Sequence, residues 1–448
     1  MTRVPRELTA DERREELAAY ARDEAAVAGI EHLRFFPLAV AGGEGAWLRT
    51  SSGRRVLDFS ASWTASAFGH GNPTIADAIA DAARAGGGAS VLSSAVEATT
   101  RLAERLVELV PIREADTACR RAYLGLGGTD ANTVAIAAAR HATGRQGIVA
   151  FSGSYHGGHG PSLEVSGIAV EPGDDAPQAR LVDYPVTHAQ LDSARGRLRE
   201  LLAGRDVAAV IVEALQCDGG VLVPPAGFLP ALRELCDEFG ALLIVDEVKA
   251  GLGRTGERFA FERSGVAPDL VTLGKALGGG LPVSAVVGPV EAMSEPRASA
   301  LLTTAGAPIA AAAASAVLGL LDDGELLAAA TRLGAVARDS LAGYRPSNRP
   351  GSATITEVRG AGLLLGVELG EAAGQPFTPA EVAALTVYRA WELGCALFVV
   401  RENVLEVTPP LTIAEDELRA GLECILTALD DVASGRVPLD AIASYGGW

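Results

Sequence analysis

Lysine is almost missing from this chain of 448 residues: Lys249 and Lys275 are the two in a basic complement of 38. Arginine supplies the rest. It serves as well as lysine on a surface but cannot form a Schiff base or release a proton near neutral pH, so two retained lysines mark positions of chemical interest. Positive charge is scarce overall. The net charge of -18 sets the surface against nucleic acid and anionic membranes, which leaves small soluble molecules as the expected partners. Long apolar runs are lacking too. The longest, PIAAAAASAVLGLL from Pro308 to Leu321, is too short to span a bilayer, and the opening MTRVPRELTADERREELAAY has no apolar centre of the kind a signal peptide carries. The five cysteines, Cys119, Cys217, Cys236, Cys395 and Cys424, are odd in number and scattered without a C-x-x-C pair. That pattern excludes a zinc ribbon and fits reduced thiols in a cytoplasmic protein.

What is present is apolar material, 48% of residues, in a chain too long for one ordinary core, so a large domain with a smaller one is expected. From about Ala122 to Pro289, short apolar runs alternate with helical patterns, as in βα units around a mostly parallel sheet. The runs are GIVAF (Gly147 to Phe151), AAVIVEAL (Ala208 to Leu215), ALLIVD (Ala241 to Asp246) and DLVTLG (Asp269 to Gly274). In GFLPALRELCDEFG, Phe228, Leu232, Leu235 and Phe239 recur at helical spacing. After Leu321, DDGELLAAATRLGAVARDSLAGY reads as a long connecting helix, and EVRGAGLLLGVEL and VLEVTPPLT read as strands of a smaller C-terminal domain. Ligands of open α/β sheets lie at the carboxyl ends of strands, so chemistry is sought there.

GLGRTG, Gly251 to Gly256, fits a dinucleotide pattern, but EVKA separates it from its strand and no small-apolar helix follows, so it reads as a turn. In GGTDANTVAIAAARHATG, Gly127, Gly128 and Thr129 follow a strand and open an alanine-rich helix at Asp130. Such a start offers amides and a helix dipole to a phosphate, although taken alone it reads first as an ordinary cap by Thr129 or Asp130. SGSYHGGHG places Tyr155 and His156 just past a strand. His156 and His159 lack the further ligands a metal needs, so no metal is expected. Tyr155 suits stacking on a flat cofactor or simple core packing. PDLVTLGKALGGGLP places Lys275 between a buried strand and three glycines that let backbone bend closely around a ligand. Asp246, ending an apolar run, needs a cationic partner. A Schiff-base lysine, an aspartate for a pyridinium nitrogen and a phosphate site at a helix start are together what pyridoxal phosphate requires.

The chain resembles the class III aminotransferases of pyridoxal phosphate fold type I, from GAWLRTSSGRRVLDFSASWTASAFGHGNP to VLEVTPPLT. VDEVKAGLGRTGERFAFERSGVAPDLVTLGKALGGGLPVSAVVG is the most specific segment. The resemblance implies an α/β fold with a large domain over residues 66–322 and a small α/β domain built from the termini, residues 1–65 and 323–448. It implies Lys275 as the Schiff-base lysine, Asp246 on the pyridine nitrogen, Val248 on one ring face and Tyr155 on the other, with Gly128 and Thr129 at the phosphate. Thr303, in TTAGAP, matches a threonine that reaches the phosphate from a partner subunit, so a homodimer with a shared site is expected; Ala307 stands where the family has asparagine.

Three departures bear on the reaction. In similar transaminases that use 2-oxoglutarate, arginine stands at the position of Glu406 and glutamate at that of Asp218, and an acidic Glu406 repels a carboxylate held there. Lys249 stands where such transaminases have glutamine. QCDGG, DEVKAGLGRTG, LEVTPPLTI and the terminal GGW are similar to the racemase branch typified by α-amino-ε-caprolactam racemase. A transaminase needs one base, Lys275, on one face; a racemase needs a second acid/base opposite, for which Asp218, Lys249 and Tyr155 are the candidates. Lys249 serves alternatively as a fixed counter-charge. The expected activity is a racemase or epimerase acting at Cα of an amino acid, amide or lactam, the alternatives being an aminotransferase with an unusual donor or another Cα or side-chain reaction. Trp63 and Arg401 are candidate substrate-pocket residues by position, with a structural role as the alternative for each.

Overall fold

The computed structural model describes residues 5–88, 90–168, 179–344 and 347–445; the terminal GGW lies outside them. Two compact units divide the chain, Met1–Asn72 with Ala328–Trp448, and Pro73–Leu327.

In the first unit the chain opens with an antiparallel ladder of β1 (Val40–Glu44), β2 (Trp47–Thr50) and β3 (Arg55–Asp58). The second unit follows, with β4 (Arg120–Gly125), β5 (Gly147–Phe151), β6 (Arg180–Val182), β7 (Val207–Val212), β8 (Leu242–Asp246), β9 (Leu270–Leu273) and β10 (Ser284–Pro289). The first unit resumes with β11 (Ile355–Ala361), β12 (Leu364–Leu369), β13 (Cys395–Ala396), β14 (Phe398–Val400) and β15 (Val404–Val407).

The second unit is built on a seven-stranded sheet of order β4-β10-β9-β8-β7-β5-β6. From β9 to β6 every pairing is parallel, while β10 runs antiparallel to both β9 and β4. Two reversals restore the direction, so β4 points the same way as β9, and the loop after β4 opens at the same edge as those after β5, β7, β8 and β9. The sequence explains the sheet's depth. All six residues of β7, VAAVIV, are buried, as expected of a central strand covered on both faces. Ile136, Ile148, Ile211, Ile244, Leu270 and Val286 share one core. The helix Phe228–Phe239 buries Phe228, Leu232 and Leu235 and ends at Gly240, whose φ of 68° is left-handed. Pro308–Gly319 is a helix with Pro at its first turn. Its buried alanines, Ala311, Ala313 and Ala314, allow close packing on the helices Pro73–Ala85 and Glu97–Leu109.

The connecting helix spans Glu325–Tyr344. EVRGAGLLLGVEL is not one strand but the hairpin β11-β12, turned at Gly362 with φ 53°; a period-two apolar pattern does not reveal a turn made of glycine and a single extra residue. The C-terminal sheet has the order β11-β12-β15-β14, and β13 extends the N-terminal ladder by pairing parallel with β3. GLGRTG forms consecutive turns, with Gly256 N–H donating to Gly253 at 3.0 Å. No helix among the described residues is long and apolar enough to cross a membrane.

Candidate active site

The loops at the carboxyl edge of the seven-stranded sheet bring most of the expected residues into one unit. Asp246 ends β8, 4% exposed, and each of its oxygens is engaged. Oδ1 accepts from Val248 N–H at 2.9 Å. Oδ2 accepts from Asn132 Nδ2 at 2.7 Å and meets His156 Nδ1 at 2.7 Å. Asn132 is itself fixed, since its Oδ1 accepts from Thr272 Oγ1 at 2.7 Å and its Nδ2 also donates to the His156 carbonyl at 2.7 Å. Three neighbouring elements therefore orient one buried carboxylate and hold its charge still.

Beyond β9, Gly274 and Lys275 lead into a short 3₁₀ turn, Lys275–Gly278. Lys275 has φ 43°, a left-handed conformation that costs a non-glycine residue energy and is found where the surroundings impose it. A methyl on Gly274 would lie 3.3 Å from both the Gly128 amide nitrogen and Val248 Cγ1, so the lysine turn abuts the start of the helix Gly128–Thr143. That helix is capped by neither Thr129 nor Asp130 as first residue. Gly127 is the N-cap, and Asp130 reaches back to accept from Gly127 N–H at 2.8 Å and Leu126 N–H at 2.9 Å. A Cβ on Gly128 would meet Val248 Cγ1 at 2.7 Å. Thr129 Oγ1 accepts from Gly158 N–H at 3.2 Å, joining this helix start to the loop of Tyr155.

Opposite these elements in sequence, the loop after β7 delivers Asp218. Its Oδ1 lies 2.7 Å from Lys249 Nζ, and both side chains are about 5% exposed or less. Burial alone would raise the Asp218 carboxyl; the ammonium of Lys249, reinforced by Lys275, more than offsets it and holds the group below the ordinary carboxylate range. Half-buried Tyr155 is pushed up by burial and by Asp218, with Lys249 opposing. Tyr155, Asp218, Lys249 and Lys275 thus form one electrostatic cluster.

Thr303 lies exposed in the turn before the helix Pro308–Gly319. The remaining candidates belong to the first unit. Trp63 stacks on Phe398 with ring centroids 4.7 Å apart and approaches Phe35 at 6.2 Å. It sits in a run of four left-handed residues, Ala61 to Thr64, on the wall of a cavity of about 510 Å³ shared with Leu38, Ser60, Ser62 and His70. Glu406 is buried on β15, and Arg401 is exposed in the β14-β15 turn with φ 44°.

Asn132, and His156 as the support of Asp246, escaped the reading of the sequence. In sequence His156 is marked only by its H-x-x-H spacing to His159, and nothing in GGTDANTV separates Asn132 from an ordinary helical residue. The one signal was Asp246 itself, since a carboxylate closing an apolar strand demands donors from somewhere.

Comparison with known proteins places the chain in a family. Residues 30–429 match the sequence profile of aminotransferase class III. A leucine/methionine racemase of Thermococcus litoralis is 34% identical over 88% of this chain and 91% of its own length. An alanine/serine racemase of Pyrococcus horikoshii is 31% identical over 90% and 88% respectively. Aminotransferases match at comparable identity. Among solved structures, an ornithine aminotransferase of Toxoplasma gondii, described with partial occupancy of pyridoxal phosphate, superposes with TM-score 0.81 at 28% identity, covering 96% of this chain and 99% of that one.

The edge suits that cofactor on its own chemistry. The glycine approach at Gly128 leaves room where a Cβ would strike Val248, a lysine stands beside it, and the buried Asp246 is oriented but carries no lysine or arginine partner among the described contacts.

Proposed function

Because the chain belongs to the class III aminotransferase family, whose members work with pyridoxal phosphate, we propose that it is a racemase or epimerase inverting Cα of an amino acid or an amino acid amide or lactam. The observation that carries this reading is the buried Asp218–Lys249 pair at 2.7 Å, in electrostatic reach of Tyr155 and Lys275.

Pyridoxal phosphate, when bound, makes the Cα–H of an amino acid joined to it acidic. Lys275 holds the cofactor and takes or returns the Cα proton on one face. Asp246 keeps a proton on the ring nitrogen, itself steadied by Asn132 and His156. Val248 and Tyr155 would lie against the ring, and Gly128, Thr129 and the helix dipole would hold the phosphate, with Thr303 of a second copy completing that site in a homodimer. On the opposite face the Asp218–Lys249 pair, with Tyr155, delivers the proton. Lys249 as the ammonium donates its proton to Cα and is left as the neutral amine, which takes the Cα proton in the reverse direction, with the Asp218 carboxylate holding Nζ in place, so one pair works in both directions. Glu406, Arg401 and Trp63 are assigned to the substrate side. An acidic Glu406 disfavours a 2-oxoglutarate carboxylate at that place, which separates this chain from the oxoglutarate-using aminotransferases. The racemases of Thermococcus litoralis and Pyrococcus horikoshii support free amino acids with uncharged side chains as substrates, leucine and methionine among them. The acidic surface, net charge -18, fits a cytoplasmic enzyme of small molecules.

An aminotransferase with an unusual donor is the second reading, favoured by the comparable identity to aminotransferases. Incubating the holoenzyme with single L-amino acids and amides, without keto acid, and separating enantiomers by chiral chromatography decides between them. Catalytic accumulation of the D-form supports the proposal; one equivalent of keto acid per active site with no D-form overturns it.

A further inference from the structure

Glu213 directly follows β7 and is 4% exposed, yet the reaction described above gives it no part. Its two oxygens serve two different loops. Oε1 accepts from the Cys217 amide at 3.1 Å, next to Asp218, and Oε2 accepts from the Tyr155 amide at 3.4 Å. A second link lies beside the first. Gln216 Nε2 donates to the Ser152 carbonyl at 2.9 Å. Methyl groups on Gly153 and Gly219 would come within 3.0 Å and 2.2 Å of Gln216 Oε1. The loop of Tyr155 and the loop of Asp218 are therefore seated on each other with no space for slack, and Glu213 is the hinge pin under both. The titratable groups facing it are His156, Asp246 and Asp218, and the Tyr184 hydroxyl donates to its carbonyl at 3.0 Å.

We propose that Glu213 is a positioning residue: by holding the Tyr155 and Cys217 amides on one carboxylate it sets the separation of Tyr155 from the Asp218–Lys249 pair, and hence the protonation of Cα on the face opposite Lys275. The proposal rests on the racemase reading. Ionised, the carboxylate accepts from both amides. Protonated, one oxygen carries hydrogen and its acceptor strength falls, so the grip on one loop weakens. Burial, opposed by His156 and reinforced by Asp246 and Asp218, pushes the Glu213 carboxyl up to about 7. The grip therefore strengthens as pH rises through neutrality.

The test compares wild-type holoenzyme with Glu213→Gln, whose amide offers one acceptor and turns an NH₂ against a backbone N–H. L-leucine, L-methionine and L-alanine and their D-enantiomers are the probes, in deuterated water, and two rates are read: α-deuterium exchange with retention, and inversion. In the variant, inversion is expected to fall at least 30-fold while exchange with retention, served by Lys275, stays within about 3-fold for one enantiomer. In the wild type alone, the ratio of inversion to exchange is expected to fall as pH drops through about 7, which tests the proposal even where the variant does not fold. Exchange and inversion falling in parallel, no change in either, or a pH-independent wild-type ratio would overturn the role of Glu213. A wild-type enzyme that exchanges without inverting any probe would instead sink the racemase reading, and this proposal with it.

Discussion

At the scale of single residues, Lys249 carries the most weight, because one hydrogen bond decides how it is read. Buried ammonium groups are costly unless paired, and Asp218 at 2.7 Å supplies the pair. The sequence led as far as the two candidates but not to their contact, since 31 residues separate them and no local pattern links a glycine-rich loop to a turn. The same limit hid the Asn132–Asp246–His156 cluster, whose members come from three elements. Lys275 and Asp246, by contrast, stood out as candidates, one a lysine just past an apolar run and the other a carboxylate ending one. The role of Lys249 is testable directly. In Lys249→Gln, inversion should fall by about 10²-fold or more, the usual worth of a positioned acid/base, while removal of the Cα proton by Lys275 persists. Stopped-flow absorbance of the cofactor, set against polarimetry, separates the two. Unchanged inversion would leave Lys249 as a counter-charge.

At the scale of elements, the active edge follows from strand direction. Short buried runs of β-branched residues were legible as strands, and their parallel order put the chemistry at their carboxyl ends. The antiparallel β10 between β9 and β4 was not, because an apolar run does not state its own direction; yet that strand is what turns β4, and the helix start after it, toward the same edge. The hairpin β11-β12 was missed for a similar reason. The junction of that helix start with the lysine turn gives a sharp expectation. A methyl at Gly128 meets Val248 Cγ1 at 2.7 Å, and overpacking of this kind costs about 1–3 kcal/mol. Gly128→Ala should therefore weaken cofactor binding by about 5- to 150-fold in a fluorescence titration of the apoprotein, with secondary structure intact by circular dichroism. Unchanged affinity would remove this glycine from the cofactor cradle.

At the scale of the whole molecule, burial of two carboxyls, Glu213 and Glu247, sets the pH response. Glu213 is pushed up to about 7, and Glu247, whose oxygens accept from the Ala260 and Phe261 amides at 2.8 Å and 3.0 Å, up to about 8, in both cases chiefly by burial. Between the ordinary carboxylate value near 4.5 and these values the folded chain binds more protons than the unfolded one, so stability falls as pH rises through that window. For Glu213 the loss is of order 3 kcal/mol. Asp218, held low, acts in the opposite sense and loses its contribution only in stronger acid. Chemical denaturation from pH 5 to pH 8 should therefore show a declining midpoint, and a flatter one in Glu247→Gln, whose neutral amide takes no part in the titration. A midpoint that climbs across the same range would contradict the burial account.

Delivery of a proton from the face opposite Lys275 is read most directly by isotope labelling during a single inversion. L-leucine or L-methionine is converted by the holoenzyme in deuterated water to a few per cent, and the two enantiomers are separated and analysed by mass. Two acid/base groups on opposite faces predict D-product carrying one α-deuterium per molecule, with recovered L-substrate still largely protiated. D-product retaining substantial α-protium would show the same group removing and returning the proton, and would contradict the assignment of Asp218 and Lys249.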